Sequence, residues 1–263
     1  MTDPSARSYA HRPAVALAAL GRFGVHFARV LPHLLRPWRQ AQAGLGQLHF
    51  IGARSLLVIA VAGGFVGMVI ALQFHDSLTR FGAASLLGAA VGLSLVRELA
   101  PVLSALLLIG RVGSAMCAEL GIMRSDQQID ALECMAIDPY EYLIAPRFLA
   151  TVLALPILTA VFIVVGIGGG WLVAAAQFHG NSAAYFLGMQ DAIVSHDLTM
   201  SAVKAGVFAV LIVWICSGYG YLMHRAEQPL FGAEGVSRTT TNAVVAASIA
   251  VLFSDYIISA LMA

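Results

Sequence analysis

The sequence predicts an all-α integral membrane protein with an N-terminal interfacial helix, five transmembrane helices and a short cytoplasmic helix between the second and third of them. Three observations predict this. Of the 263 residues, 59% are hydrophobic and 11% charged, whereas soluble domains are nearer half apolar and a quarter charged. Apolar runs long enough to cross a hydrocarbon core of ~30 Å recur along the chain. Between the second and third run, the second half of "GRVGSAMCAELGIMRSDQQIDALECMAIDP" is too polar to cross. One domain, residues 1–263, holds all of this, with 1–55 cytoplasmic and interfacial and 56–263 transmembrane. A net charge of +1 gives no reason to expect a nucleic-acid partner. Cys117, Cys134 and Cys216 lack paired spacing and read as small buried residues, not as a disulfide or metal set.

The first segment carries Arg7, Arg12, Arg22, Arg29, Arg36, Arg39 and Arg54. Arg22, His26, Arg29, His33 and Arg36 recur at helical spacing as one stripe, and Leu20, Phe23, Phe27, Val30, Leu31 and Leu34 fill the other side. Such a helix is expected to lie in the membrane interface, apolar face down and cations toward anionic headgroups. Pro32 should kink or interrupt it. "PAVALAALG" has the look of a signal-peptide core, but the arginine-bearing apolar pattern continues past it without a clear cleavage site.

Span one is expected from about Leu56 to Phe74. Its Gly63, Gly67 and Ala71 form a small-residue ridge that permits close helix contact. A short polar loop with His75, Asp76 and Arg80 follows. Span two runs from about Ala84 to Gly110, its helix extending toward Gly121. Span three, Tyr142 to Ala176, contains Pro156 and the Gly166–Gly170 run; its length predicts a tilt, a break or an end outside the bilayer. Gln177 to Thr199 reads as a loop in which Asp191, His196 and Asp197 are solvated, since they lack a metal-site spacing such as HExxH. Span four is Met200 to Met223. A loop with Arg225, Glu227, Pro229 and Glu234 precedes span five, which begins near Thr240. Arginines concentrate in the N-terminal region and in the Arg111–Arg147 and Arg225–Arg238 connections, which makes those cytoplasmic and the C-terminus external.

In the polar connection, Gly110, Ser114 and Ala118 form one small-residue ridge and Gly113, Cys117 and Gly121 another, for packing within the chain or between subunits. A helix over about 124–137 follows. Ser125 and Gln128 have capping-box spacing, Asp126 sits in the first turn, and Asp138-Pro139 ends the helix. Asp126, Asp130 and Glu133 share one face; Ile129, Leu132 and Ala136 form an apolar face. The helix either lies on the membrane or docks, its apolar face in the groove of a soluble partner and its acids against basic residues there. Arg124, Asp126, Ile129, Asp130, Leu132, Glu133 and Asp138 are the candidate docking residues. Lys204 is the only lysine, and "MSAVKAG" is no phosphate loop. The chain is therefore expected to be non-catalytic, with no cofactor of its own. A docking helix without a nucleotide site suggests the permease of an ABC transporter whose ATPase, with its ATP and Mg, is a separate chain.

Arg97, Glu98, Lys204 and Asp255 fall within spans, at similar depths in the outer half of the membrane. Charges there are costly and face a cavity or one another. Adjacent helix positions diverge by ~100°, so the expected pairs are Glu98 with Lys204 and Arg97 with Asp255. Such a network either locks helix packing or couples helix movement to a transport cavity. A second functional reading, an ion- or proton-coupled carrier using these four as a relay, is opposed by the lack of paired broken helices and of an even division into repeats.

"GRVGSAMCAELGIMRSDQQIDALECMAIDPYEYLIAPR" resembles the signature region of the MlaE/YrbE permease family, the permease of MCE-type ABC lipid transporters. "SLVRELAPVL" and "GVSRTTTNAVV" also resemble it, and the likeness runs from about Leu45 to the end. Cys117, Cys134 and "SDQQ" are small departures from the family pattern. The resemblance implies a homodimer in the bacterial inner membrane, bound to a cytoplasmic MlaF-like ABC ATPase, a periplasmic MlaD-like MCE hexamer and often an MlaB-like STAS subunit. It implies movement of phospholipids between the inner membrane and the periplasmic pathway to the outer membrane, maintaining outer-membrane lipid asymmetry. The family's lipid cavity opens at the level of Gln73, so the resemblance suggests Gln73 as a headgroup contact, with Ile70, Phe74 and Leu78 touching acyl chains.

Overall fold

Glycines decide where the longest helices meet. The computed structural model describes residues 18, 21–34, 41–176, 182–223 and 232–262; Arg7, Arg12, Leu20, Arg36, Arg39, Gln177, Arg225, Glu227 and Pro229 lie outside them. The helices are α1 (21–34), α2 (Ala41–Arg80), α3 (Ala84–Ser125), α4 (Gln128–Cys134), α5 (Tyr140–Ala176), α6 (Ser182–Ala192), α7 (Ser195–Tyr221) and α8 (Gly232–Met262). Five of them, α2, α3, α5, α7 and α8, are long and apolar enough to cross a membrane. Among the described residues there is no strand. The chain is a multi-pass membrane protein.

The most extensive helix pair is α2 with α5. A Cβ on Gly67 would collide with the Gly166 carbonyl oxygen, and one on Gly169 with that of Gly64. The Gly166–Gly170 run is therefore a contact surface, not a break, and α5 continues unbroken through Pro156. Small residues let the backbones touch where lipid supplies no hydrophobic drive for association.

Several boundaries differ from expectation for one reason: polar residues outside the bilayer do not stop a helix. α2 is 40 residues long and carries His75, Asp76 and Arg80 in its last turns. It ends only before Gly82, whose φ of +68° leaves helical space. Likewise α7 starts at Ser195 and α8 at Gly232. The stretch expected as an outer loop contains α6, whose Tyr185 is buried against Gly88 and Gly170.

The central helix is α3, packed on α5, α7 and α8. Two of its segments, Leu95–Leu99 and Ile109–Gly113, are widened into π-helix. The Gly113, Cys117 and Gly121 ridge packs inside the chain: a Cβ on Gly113 would lie 2.9 Å from Cys216 Sγ, and one on Gly220 2.7 Å from the Cys117 carbonyl oxygen. Gly110, on the other ridge, meets nothing within 4 Å.

In α1 the basic stripe does not simply face headgroups. His26 is buried and pairs through Nε2 with Ser217 Oγ at 3.0 Å. Phe23 and Phe27 stack on Tyr219 and Trp214, and Trp214 Nε1 donates to the Phe23 carbonyl at 2.9 Å. The helix runs past Pro32 to residue 34. It lies against α7 and α5, because the rings between its arginines find aromatic partners there.

Candidate functional site

The intramembrane charges form one cluster, with a partner assignment that differs in part from the expected one. Lys204 on α7 is wholly buried. Its Nζ lies 2.7 Å from Glu98 Oε2, as the depth argument predicts, and 2.9 Å from Asp255 Oδ1. Arg97 does not pair with Asp255. Its Nε donates to Asp197 Oδ1 at 2.8 Å, and Asp197 is 1% exposed. Asp197 is therefore no solvated loop residue. It sits in the first turn of α7, and its Oδ2 accepts the Val194 N–H at 3.0 Å, so one carboxylate both caps the helix and neutralises Arg97.

The backbone of α3 contributes to the clamp. Pro101 has no N–H to offer the carbonyl four residues back, that of Arg97. That carbonyl accepts from Lys204 Nζ at 2.9 Å. The ammonium thus donates to Glu98 Oε2 and to the Arg97 carbonyl and meets the Asp255 carboxylate as an ion pair. Ser259, one turn beyond Asp255 on α8, donates to Glu98 Oε1 at 3.1 Å. The cluster thus ties α3, α7 and α8 at one level. Arg97 and Glu98 keep 46% of their side-chain surface exposed, so the cluster has a buried cationic centre and an accessible rim.

Asp197 and Ser259 were the residues that sequence reasoning missed. Asp197 lies two helical turns before Lys204, on the same face of α7, and Ser259 one turn after Asp255. Starting α7 at Ser195 brings adjacent Arg97 and Glu98 opposite Asp197 and Lys204, two parallel pairs across one helix contact.

At the end of α3, the expected capping box does not form. Ser125 closes α3, and its Oγ accepts the Gly232 N–H at 3.1 Å. Gln127, with φ +59°, makes the turn into α4 without a side-chain cap. α4 spans only Gln128–Cys134, and Asp126 lies in the turn before it. Ile129 is fully buried in the chain's own core, so it is not offered to a partner's groove. Leu132 is half-buried and Ala136 exposed, with φ +58°. The acids are largely engaged: Asp130 with Arg124 at 2.7 Å, Glu133 with the Tyr221 hydroxyl at 3.4 Å, and Asp138 with His33 at 3.2 Å. The outward surface includes Asp126, Gln127, Gln128, Cys134, Met135, Ala136 and Ile137. Cys134 is exposed, unlike Cys117 and Cys216, because the short helix turns it away from α3.

At the other end of the molecule, Gln73 is exposed on α2, while Ile70, Phe74 and Leu78 are half-buried against the core. Four-residue spacing turns those three inward and leaves Gln73 on the outer face. Among the described residues, no group of three or more His, Cys, Asp or Glu side chains could hold a metal ion.

The comparisons bear on the whole of this architecture. Residues 45–261 match the family model described as Permease MlaE. The chain is 43% identical over 217 residues to the intermembrane phospholipid transport system permease protein MlaE of Haemophilus influenzae, covering 82% of this chain and 81% of that protein. It is 38% identical over 256 residues to a probable ABC transporter permease protein of Rickettsia conorii, covering 97% and 96%. A probable ABC transporter permease protein of Synechocystis is 36% identical, covering 89% and 87%. The spans, the Lys204 clamp and the α4 turn all lie inside the matched region, and the chain belongs to the MlaE permease family.

Proposed function

We propose that the chain is the permease subunit of an ABC transporter that moves phospholipids between the bacterial inner membrane and the periplasmic pathway to the outer membrane. The observation that carries this reading is the 43% identity, across most of both chains, to a permease named for intermembrane phospholipid transport. The only lysine of the chain is held in the clamp and lies in no phosphate loop, so ATP and Mg belong to a separate MlaF-like ATPase. The turn around α4, with exposed Met135, Ile137 and Asp126, is the surface proposed to receive that ATPase. Asp130, Glu133 and Asp138, together with Ile129 and Leu132, hold the turn to the body of the chain. The Lys204 clamp then makes α3, α7 and α8 move together when the turn is pushed. Gln73 is the proposed headgroup contact at the outer end. Homodimerisation, an MlaD-like MCE hexamer and an MlaB-like STAS subunit complete the proposed assembly.

Affinity purification of the full chain from its native membrane tests this. The expected result is co-purification of an ABC ATPase, with phospholipid found by mass spectrometry of the intact complex. Recovery of the chain in functional form without an ATP-binding partner would remove the reading.

A further inference from the structure

A cavity of about 470 Å³ lies between α1, the end of α3, α4, α5 and α7, at the arginine-rich end of the molecule. Its lining includes Arg22, Arg29 and Arg124 against one carboxylate, Glu133. Arg124 is shared with Asp130 at 2.7 Å and stands over the Tyr221 ring at 5.6 Å, and Arg29 stands 5.9 Å from the Tyr140 ring. Glu133 is engaged by the Tyr221 hydroxyl. The described lining residues therefore bring three guanidinium groups, from the two elements α1 and α3, to one concavity. His26 also lines it, wholly buried, with Nδ1 unpaired while Nε2 meets Ser217.

We propose that this cavity binds a phosphate group, presented by a phospholipid headgroup of the cytoplasmic leaflet or as free phosphate. Guanidinium groups suit phosphate because their forked N–H pairs match its oxygens bidentately. The arginine distribution places this end of the chain at the cytoplasmic surface, where anionic headgroups concentrate. The rim favours the lipid source: Val25 lines the cavity and is 54% exposed, beside Ala18 and Leu222, so an acyl chain has an apolar shoulder to follow. A ligand here would bridge α1 to the α4 turn. The site lies at the opposite end from Gln73 and does not depend on the transport reading.

The test is calorimetric titration of the full chain, in a neutral detergent at pH 7, with inorganic phosphate in one arm and soluble dihexanoyl-phosphatidylglycerol in the other. The variants are Arg22→Gln with Arg29→Gln, Arg29→Lys, and Arg80→Gln at the far end as a charge control. Saturable binding of either probe is expected. The double variant should weaken it at least tenfold, Arg29→Lys only a few-fold, and Arg80→Gln not at all. Binding of the lipid probe with competition by phosphate assigns the site to headgroups; binding of phosphate alone assigns it to the free ion. No binding of either probe, or equal weakening by Arg80→Gln, overturns the proposal. Circular dichroism and gel filtration of each variant exclude misfolding as the cause of a loss.

Discussion

Replacing Lys204 by methionine keeps most of the side chain's volume and removes the charge shared by Glu98, Asp255 and the Arg97 carbonyl. Deleting one partner of a buried ion pair costs about 3–5 kcal/mol, because the other partner is left buried and uncompensated. Here the partners differ. Glu98 keeps 46% of its side-chain surface exposed and regains water, so its share is discounted. Asp255 has 18% exposed and loses its cation, and the Arg97 carbonyl loses its donor with no N–H from Pro101 to replace it. The lower end of the range, about 3 kcal/mol, is expected. At about 2–4 °C per kcal/mol for a chain of this size, thermal unfolding in detergent should fall by about 6–12 °C. Removing the second charge as well, in Lys204→Met with Asp255→Asn, should be less damaging than the sum of the single changes by at least about 1 kcal/mol. A single variant that melts within about 1 °C of the parent, or a strictly additive double variant, would refute the clamp.

Gly67→Ala places a methyl group against the Gly166 carbonyl. It should destabilise the chain by about 1–3 kcal/mol or more, seen as a lower Tm, since neither backbone can yield without separating α2 from α5. Burial, helped by the Arg29 guanidinium, pushes His26 down to about 4 from its ordinary value near 6.5. The unfolded or undocked chain thus binds the proton more readily, so the contribution of His26 is complete above pH 6.5 and lost as pH falls toward 4. The full swing is about 3 kcal/mol; Trp214 fluorescence should report α1 leaving α7 over that window, and His26→Phe should flatten the curve. Ile129→Ala should cost about 2–4 kcal/mol of stability as a core cavity. Met135→Glu should leave Tm unchanged while weakening recovery of the ATPase, because that side chain is 62% exposed.

The spans were legible because apolar runs and lone charges obey the bilayer: Gly63 and Gly67 predicted a close helix contact, and the shared depth of Glu98 and Lys204 predicted their pair. Helix ends were not legible, since outside the hydrocarbon only a cap or a left-handed residue such as Gly82 ends a helix. That error propagated. Beginning span four at Met200 hid Asp197, so Arg97 was matched with Asp255 instead. The docking helix was misjudged for a related reason. A short amphipathic pattern reads the same whether its apolar face meets a partner or its own chain, and Ile129 meets its own chain. In α1, the same ambiguity turned His26 inward, where a basic stripe alone pointed to headgroups.

The most direct measurement of the account is phospholipid transfer by proteoliposomes containing the full chain with the proposed ATPase and periplasmic partner. The account predicts transfer of labelled phospholipid between the bilayer and the periplasmic partner that requires ATP and falls at least tenfold with Lys204→Met in an assembled complex. Transfer that proceeds equally without ATP, or that is unchanged by Lys204→Met, would contradict it.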